Sequence, residues 1–269
     1  MARAQKDRST EVQRYGYRIP YVDAATVAGI QTVFNRTRLS HQTWEGRQLQ
    51  GRLDSRTVWR NSARGSIDIF RERRQPSPTK LDVHLLVDAS GSMSGDRACR
   101  AQDMAATMVD AFKRIPTVRV HVWQHNATSG TANIYRIFEP GMATHGFNSM
   151  LNNIDGGNAD GFALQAIGER VVRMQRADTL SLIIVISDGL PSVNGLGATG
   201  NILDHSVMVT QNLARKNVSV MGVAIAGDMR AHEQMYGEGS SILFTGDWND
   251  LNRKFGAIFG KVLAKAKTR

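Results

Sequence analysis

Residues 85–93 read Leu-Leu-Val-Asp88-Ala-Ser90-Gly-Ser92-Met. The apolar run Val83 to Val87 stops abruptly at a carboxylate, the pattern of a buried strand entering a polar loop. A helical pattern over Arg97 to Arg114 follows, so the unit reads strand, loop, helix. Asp88, Ser90 and Ser92 stand at alternate positions and offer hard oxygen donors that can converge on one cation. Mg²⁺ prefers such oxygens in octahedral geometry and keeps several waters. Taken alone the pattern is weak, because Asp and Ser are also ordinary turn and cap residues.

Outward from this loop, short apolar runs alternate with amphipathic stretches. Strands are predicted at Val118–Trp123, Ile134–Phe138, Leu180–Ser187, Val218–Ala226 and Ile242–Thr245. Helices are predicted over Gly161–Arg176, Ile202–Lys216 and from Asp247, where Leu251, Phe255, Ile258 and Val262 share one face. Continuously apolar strands separated by helices require a sheet covered on both faces. The expected class is therefore α/β, a doubly wound, mostly parallel and Rossmann-like sheet with helices on both sides and a small basic N-terminal extension.

Before it, residues 1–22 are polar and aperiodic and read as a flexible basic lead-in. Val27, Ile30, Val33 and Phe34 predict a helix from Asp23 to about Leu39, followed by a mixed segment through Arg74. Gln75 to Lys80 (QPSPTK) reads as a linker. The expected division is 1–22, 23–80 and 81–266.

In a doubly wound sheet, ligands sit beyond the carboxyl ends of strands. One further loop falls there, Ser187-Asp188-Gly189. Asp88, Ser90, Ser92 and Asp188 are thus candidate metal ligands.

DASGSM after a strand, with ISDG later, resembles the metal-ion-dependent adhesion site (MIDAS) of von Willebrand factor A (VWA) domains. Many members carry a GGTxxGxAL loop; here, in Gly156-Gly-Asn158-Ala-Asp160-Gly-Phe-Ala-Leu164, the threonine is missing and Asn158 takes its place by spacing, while Asp160 resembles the DGxAL of one branch, so the resemblance implies Asp160 as a fifth metal ligand with Asn158 as its alternative. That branch is CobT of the aerobic cobaltochelatase, similar also in GRLDSR, VISDGLPS, GNILDH and VSVMGVAIAGDM. The resemblance implies a Mg²⁺-dependent protein-interaction module, with Mn²⁺ or Ca²⁺ acceptable to the same oxygens. It also implies an AAA+ ATPase partner of the chelatase, MoxR or CobS kind, a partner carboxylate completing the metal, and no catalysis by this chain alone. Full-length CobT proteins carry a long acidic region that this sequence lacks, so a working cobaltochelatase subunit in cobalamin biosynthesis is the alternative reading.

The chain has 269 residues, a net charge of +10 and one cysteine, Cys99. A lone cysteine and a start without an apolar signal-like core point to a reducing, cytoplasmic setting. No apolar run approaches membrane-spanning length, so no membrane partner is expected. Residues 1–80 hold 16 of the 34 Lys and Arg but only 7 of the 24 Asp and Glu. That basic arm makes nucleic acid a second alternative partner.

Other motifs read as structural. Gly195, Gly197 and Gly200 form a GxGxxG too far from a strand for a dinucleotide loop. His121, Trp123 and His125 alternate on what reads as a half-exposed strand face, without a third zinc ligand. Cys99 has no catalytic partner in sequence, the RERR run at 71–74 lacks interleaved aromatics, and the cations of the last helix suit its dipole.

Overall fold

The computed structural model describes residues 18–39, 43–74, 80–129, 131–176, 178–189, 191, 202–227 and 229–265. The lead-in before Arg18, most of the linker and the glycines of the GxGxxG run lie outside them, as do the side chains of Arg73, Arg74 and the final cations.

Helix α1 (Ala24–Leu39) starts where the Asp23 carboxylate accepts the Thr26 amide at 2.7 Å, a side-chain cap. A small antiparallel sheet follows: β1 (Thr43–Gln48), β2 (Arg52–Leu53) and β3 (Phe70–Arg74), in the order β1-β3-β2, with the short helix α2 (Val58–Ser62) between β2 and β3. No pattern in the residues marks this sheet in advance. Its strands are two to six residues long and, in the part read for burial, only Asp54 is buried, so no apolar alternation marks it.

The main unit runs β4 (Lys80–Asp88), α3 (Asp96–Lys113), β5 (Val118–Thr128), β6 (Thr131–Phe138), α4 (Asp160–Met174), β7 (Thr179–Ser187), α5 (Ile202–Arg215), β8 (Val218–Ile225), α6 (Met229–Tyr236), β9 (Ser241–Phe244) and α7 (Trp248–Lys265). The strand order is β6-β5-β4-β7-β8-β9. Every pairing is parallel except that of β5 with β6, an antiparallel edge hairpin. This is the predicted α/β architecture. β5 extends five residues beyond its expected end because Gln124, His125 and Asn126 are polar yet buried, and α6 is too short to show helical periodicity.

Side-chain alternation along β4 divides the core. Leu81, Val83, Leu85 and Val87 meet α1, α3 and α7 on one face, while Leu86 meets α4, α5 and α6 on the other. Val27, Ile30 and Phe34 of α1 are buried in the first of these clusters, Phe34 stacking on Phe259 with ring centroids 6.4 Å apart. Each such side chain contributes about 1.5–3 kcal/mol by leaving water. The order in which strands are added reverses between the parallel strands β4 and β7, so the loops after these two strands part and open a crevice at the carboxyl edge.

Candidate functional site

β4 delivers Asp88 to that crevice, and the loop after it turns at once. The Ser90 amide donates to Asp88 Oδ1 at 2.8 Å, and Gly91–Met93 form a 3₁₀ turn that lifts Ser92 to the surface. β7 ends at Ser187, whose hydroxyl donates to Asp88 Oδ2 at 3.1 Å. The next residue, Asp188, accepts from Ser92 Oγ at 3.1 Å, and the Ser90 and Ser92 hydroxyls lie 3.0 Å apart. Asp88, Ser90, Ser92 and Asp188 therefore meet in one hydrogen-bonded group.

Asn158 and Asp160 come from the loop before α4. The Asn158 side chain donates to Ser187 Oγ at 3.0 Å and to Asp160 Oδ2 at 3.2 Å, and its oxygen accepts the Asp160 amide at 2.8 Å. Both residues are buried. Asp160 turns inward, its Oδ1 3.0 Å from His125 Nε2, with neither side chain exposed.

The electrostatics sort these carboxyls into different roles. Burial and then the neighbouring Asp160 push Asp88 up to about 7. Burial works the same way on Asp160, but the hydrogen bond and charge of His125 outweigh it and hold Asp160 below the usual carboxylate range. Asp160 in turn raises His125 against the opposing effect of burial. Burial, followed by the charges of Asp160 and Asp88, drives the Tyr236 phenol well above its ordinary value. Burial and Asp160 thus favour the protonated form of Asp88, while the contact between His125 and Asp160 favours the charged form of each.

Arg97, in the first turn of α3, supplies a cation from the protein itself. Its Nη1 lies 2.7 Å from Asp188 Oδ2 and 3.2 Å from the Ser92 carbonyl oxygen. Sequence reading placed Arg97 in a helix and missed this role, although a basic residue one turn beyond the DxSxS loop was the available signal. It also read His121, Trp123 and His125 as half exposed. All three are buried, because α4 covers that face and sets Arg170 5.1 Å from the centre of the Trp123 ring.

The expected Mg²⁺, or Mn²⁺ or Ca²⁺ in its place, is corrected by this arrangement. Among the described residues no group of three or more His, Cys, Asp or Glu side chains is placed to hold a metal ion. The donors proposed from sequence are engaged elsewhere: Asp188 by Arg97, Asp160 by His125, and Asp88 by Ser90, Ser187 and its own raised proton affinity. A partner carboxylate bound through the metal has no place either.

The profile of the von Willebrand factor type A domain matches residues 82–254. The chain belongs to the VWA domain family. Among solved structures it is similar to the pilus adhesin SpaC of Lactobacillus rhamnosus GG in its open conformation, at 13% identity and a TM-score of 0.53, over 71% of this chain and 31% of that one. It is also similar to the vWF domain of the type V pili tip protein Mfa5 of Porphyromonas gingivalis, at 10% identity and a TM-score of 0.47, over 71% of this chain and 96% of that one. Proximal thread matrix protein 1 of the mussel byssus is similar at 14% identity and a TM-score of 0.47, over 68% and 46% of the two chains. The VWA chain thus spans about a third of the SpaC chain. No curated protein matches its sequence.

These findings correct the remaining expectations. Nothing among the matches ties the chain to CobT, so the cobaltochelatase role and the AAA+ ATPase partner fall with the metal that was to join them. Nor does any match support the nucleic-acid alternative. The cytoplasmic placement is overturned as well, since the solved structures that share the fold include a pilus adhesin. No helix of the described residues is long and apolar enough to cross a membrane.

Proposed function

We propose that this VWA domain holds a protein partner at the carboxyl edge of its sheet, using its own side chains in place of a metal bridge. The exposed Ser92 and Arg97 would touch the partner, with the largely buried Asp188 side chain holding Arg97 in place. Asp88, Ser90, Asn158, Asp160 and Ser187 would hold them in place from below. Membership of the VWA family supports the reading. The single observation that carries it is the Arg97–Asp188–Ser92 group, which sets a donor, an acceptor and a cation at the mouth of the crevice. Among the described residues Arg97 Nη2 and Nε have no acceptor, which leaves them to meet one on the partner, and a guanidinium suits such planar, forked contacts.

A photo-crosslinking amino acid at Ser92, compared with one at the exposed Lys113 at the far end of α3, tests this in cells that produce the protein. Adducts to one protein at Ser92 that vanish with Arg97→Glu support the proposal. Equal adducts at both positions, or adducts indifferent to Arg97→Glu, overturn it.

A further inference from the structure

The small sheet carries a helix with no interior. Backbone hydrogen bonds of helical spacing join Val58 to Asp54, Asn61 to Thr57 and Ala63 to Trp59, and no residue of α2 is buried. Arg56, Trp59, Arg60, Ala63 and Arg64 follow three- and four-residue steps, so they share one face of this helical run. All five are exposed, Trp59 to 85%. Arginines four apart repel each other along a helix. None of Arg56, Arg60 and Arg64 makes an ion pair among the described residues. Leu49 and Ile67 nearby in the same unit are 64% and 74% exposed, and Arg47 and Arg52 are exposed too.

Among the described residues this unit buries no large apolar side chain, and it leaves Arg56, Arg60 and Arg64 without a paired acid, so it gains stability when something covers that face. Charge narrows what that is. A second copy would set arginine against arginine. The chain's own segments outside the described residues offer no acid-rich cover: residues 1–17 hold four basic and two acidic side chains, and 192–201 hold none of either. Nucleic acid would use the arginines but leave the aliphatic groups without a role, and one tryptophan is a poor base-stacking platform. Trp and Arg together are the side chains that dominate protein interfaces.

We infer that the Arg56–Trp59–Arg60–Arg64 face of α2 is a second docking surface, separate from the carboxyl edge, for an acidic protein segment with interspersed apolar residues. Trp59 enters an apolar contact while the arginines fork onto the segment's carboxylates.

The probe is a fluorescent peptide alternating Asp and Glu with Leu and Phe, titrated against the full chain by anisotropy. Trp59→Ala is expected to weaken binding about 30-fold, as an interface anchor would. Arg56→Glu with Arg60→Glu is expected to weaken it at least as much. Arg97→Ala, at the other site, should change it by no more than about twofold, the scatter expected for an uncoupled site. An unchanged circular dichroism spectrum shows that the variants remain folded. The inference is overturned if the peptide fails to bind, if Trp59→Ala binds as well as the parent, or if poly-Glu or a DNA duplex binds as tightly as the mixed peptide.

Discussion

Arg97 and Asp188 form an ion pair across the mouth of the crevice, Nη1 to Oδ2 at 2.7 Å, joining the first turn of α3 to the loop after β7. Two loops that depart from strands on either side of the reversal point are thereby tied by a cation built into the chain. The Asp188 side chain is largely buried and Arg97 about half exposed, so the pair is screened on one side only.

The first prediction concerns metal ions. With Asp188 paired to Arg97, millimolar Mg²⁺ or excess chelator should leave the melting temperature within about 1 °C, because a ligand stabilises only what it binds. Arg97→Ala should cost about 1 kcal/mol, the upper range for partly exposed pairs. Differential scanning calorimetry with and without Mg²⁺ checks both; a rise of several degrees with Mg²⁺ would refute the first.

Asp88 gives a prediction about pH. Its carboxyl is raised to about 7 in the fold, chiefly by burial and then by Asp160. Below pH about 4 both folded and unfolded chains carry the proton, so its contribution is constant. As pH rises from there to about 7 the unfolded chain releases the proton first, and stability falls. Asp88→Asn should therefore unfold at a higher temperature than the parent at pH 8 and lose that advantage near pH 4.

His84 acts in the opposite sense. Burial, and then the adjacent His121, lower it to about 3, with the two rings stacked 4.5 Å apart. As pH falls from about 6.5 toward 3 the unfolded chain takes up a proton that the fold refuses, so stability is lost on acidification. His84→Gln should flatten the acid limb of a urea-denaturation series. An unchanged slope between pH 6 and 4 would show that His84 is not kept neutral.

The sheet was legible in the sequence because its strands are apolar on both faces, and DASGSM and ISDG fell at the right strand ends. What could not be read was who faces whom. His125 and Asp160 are 35 positions apart and meet only because β5 lies beside β4 and α4 begins above it. Their pairing turns inward the carboxylate expected to point at a metal. Arg97 shows in sequence only as a basic residue just beyond the DxSxS loop, and only the fold brings it to Asp188. The 43–74 sheet was hidden for a different reason: it has no core to imprint a period on its residues.

Gly227 tests how tightly the Asp188 loop is set. A Cβ placed there would collide with the carbonyl oxygen and carbon of Asp188, both backbone atoms that cannot swing aside. Gly227→Ala should therefore displace the loop and break the Arg97 pair, at a cost of about 1–3 kcal/mol typical of overpacking. Loss of partner cross-linking at Ser92 with the fold retained is the expected result. Parent-like stability and cross-linking would show that the loop yields.

The last prediction concerns the segment before α1. Arg18 makes two hydrogen bonds to Asp103 of α3, Nη1 to Oδ1 at 2.5 Å and Nη2 to Oδ2 at 2.9 Å, and the Tyr21 amide donates to the same Oδ1 at 2.6 Å. Gln102 adds its amide to the Arg18 carbonyl at 3.0 Å. Both charged side chains are largely shielded, so removing one strands the other in a poorly solvated place. Asp103→Ala should cost about 3 kcal/mol, the lower range for breaking a buried pair by removing one partner. Asp103→Asn, which keeps one acceptor for the Tyr21 amide, should cost less. Because Asp23 caps α1 and itself donates its amide to Thr107 of α3 at 3.1 Å, loss of the tether should speed hydrogen exchange in residues 18–26 before it reaches β4. Uniform protection across both regions in Asp103→Ala would mean that the segment docks through the apolar face of α1 alone.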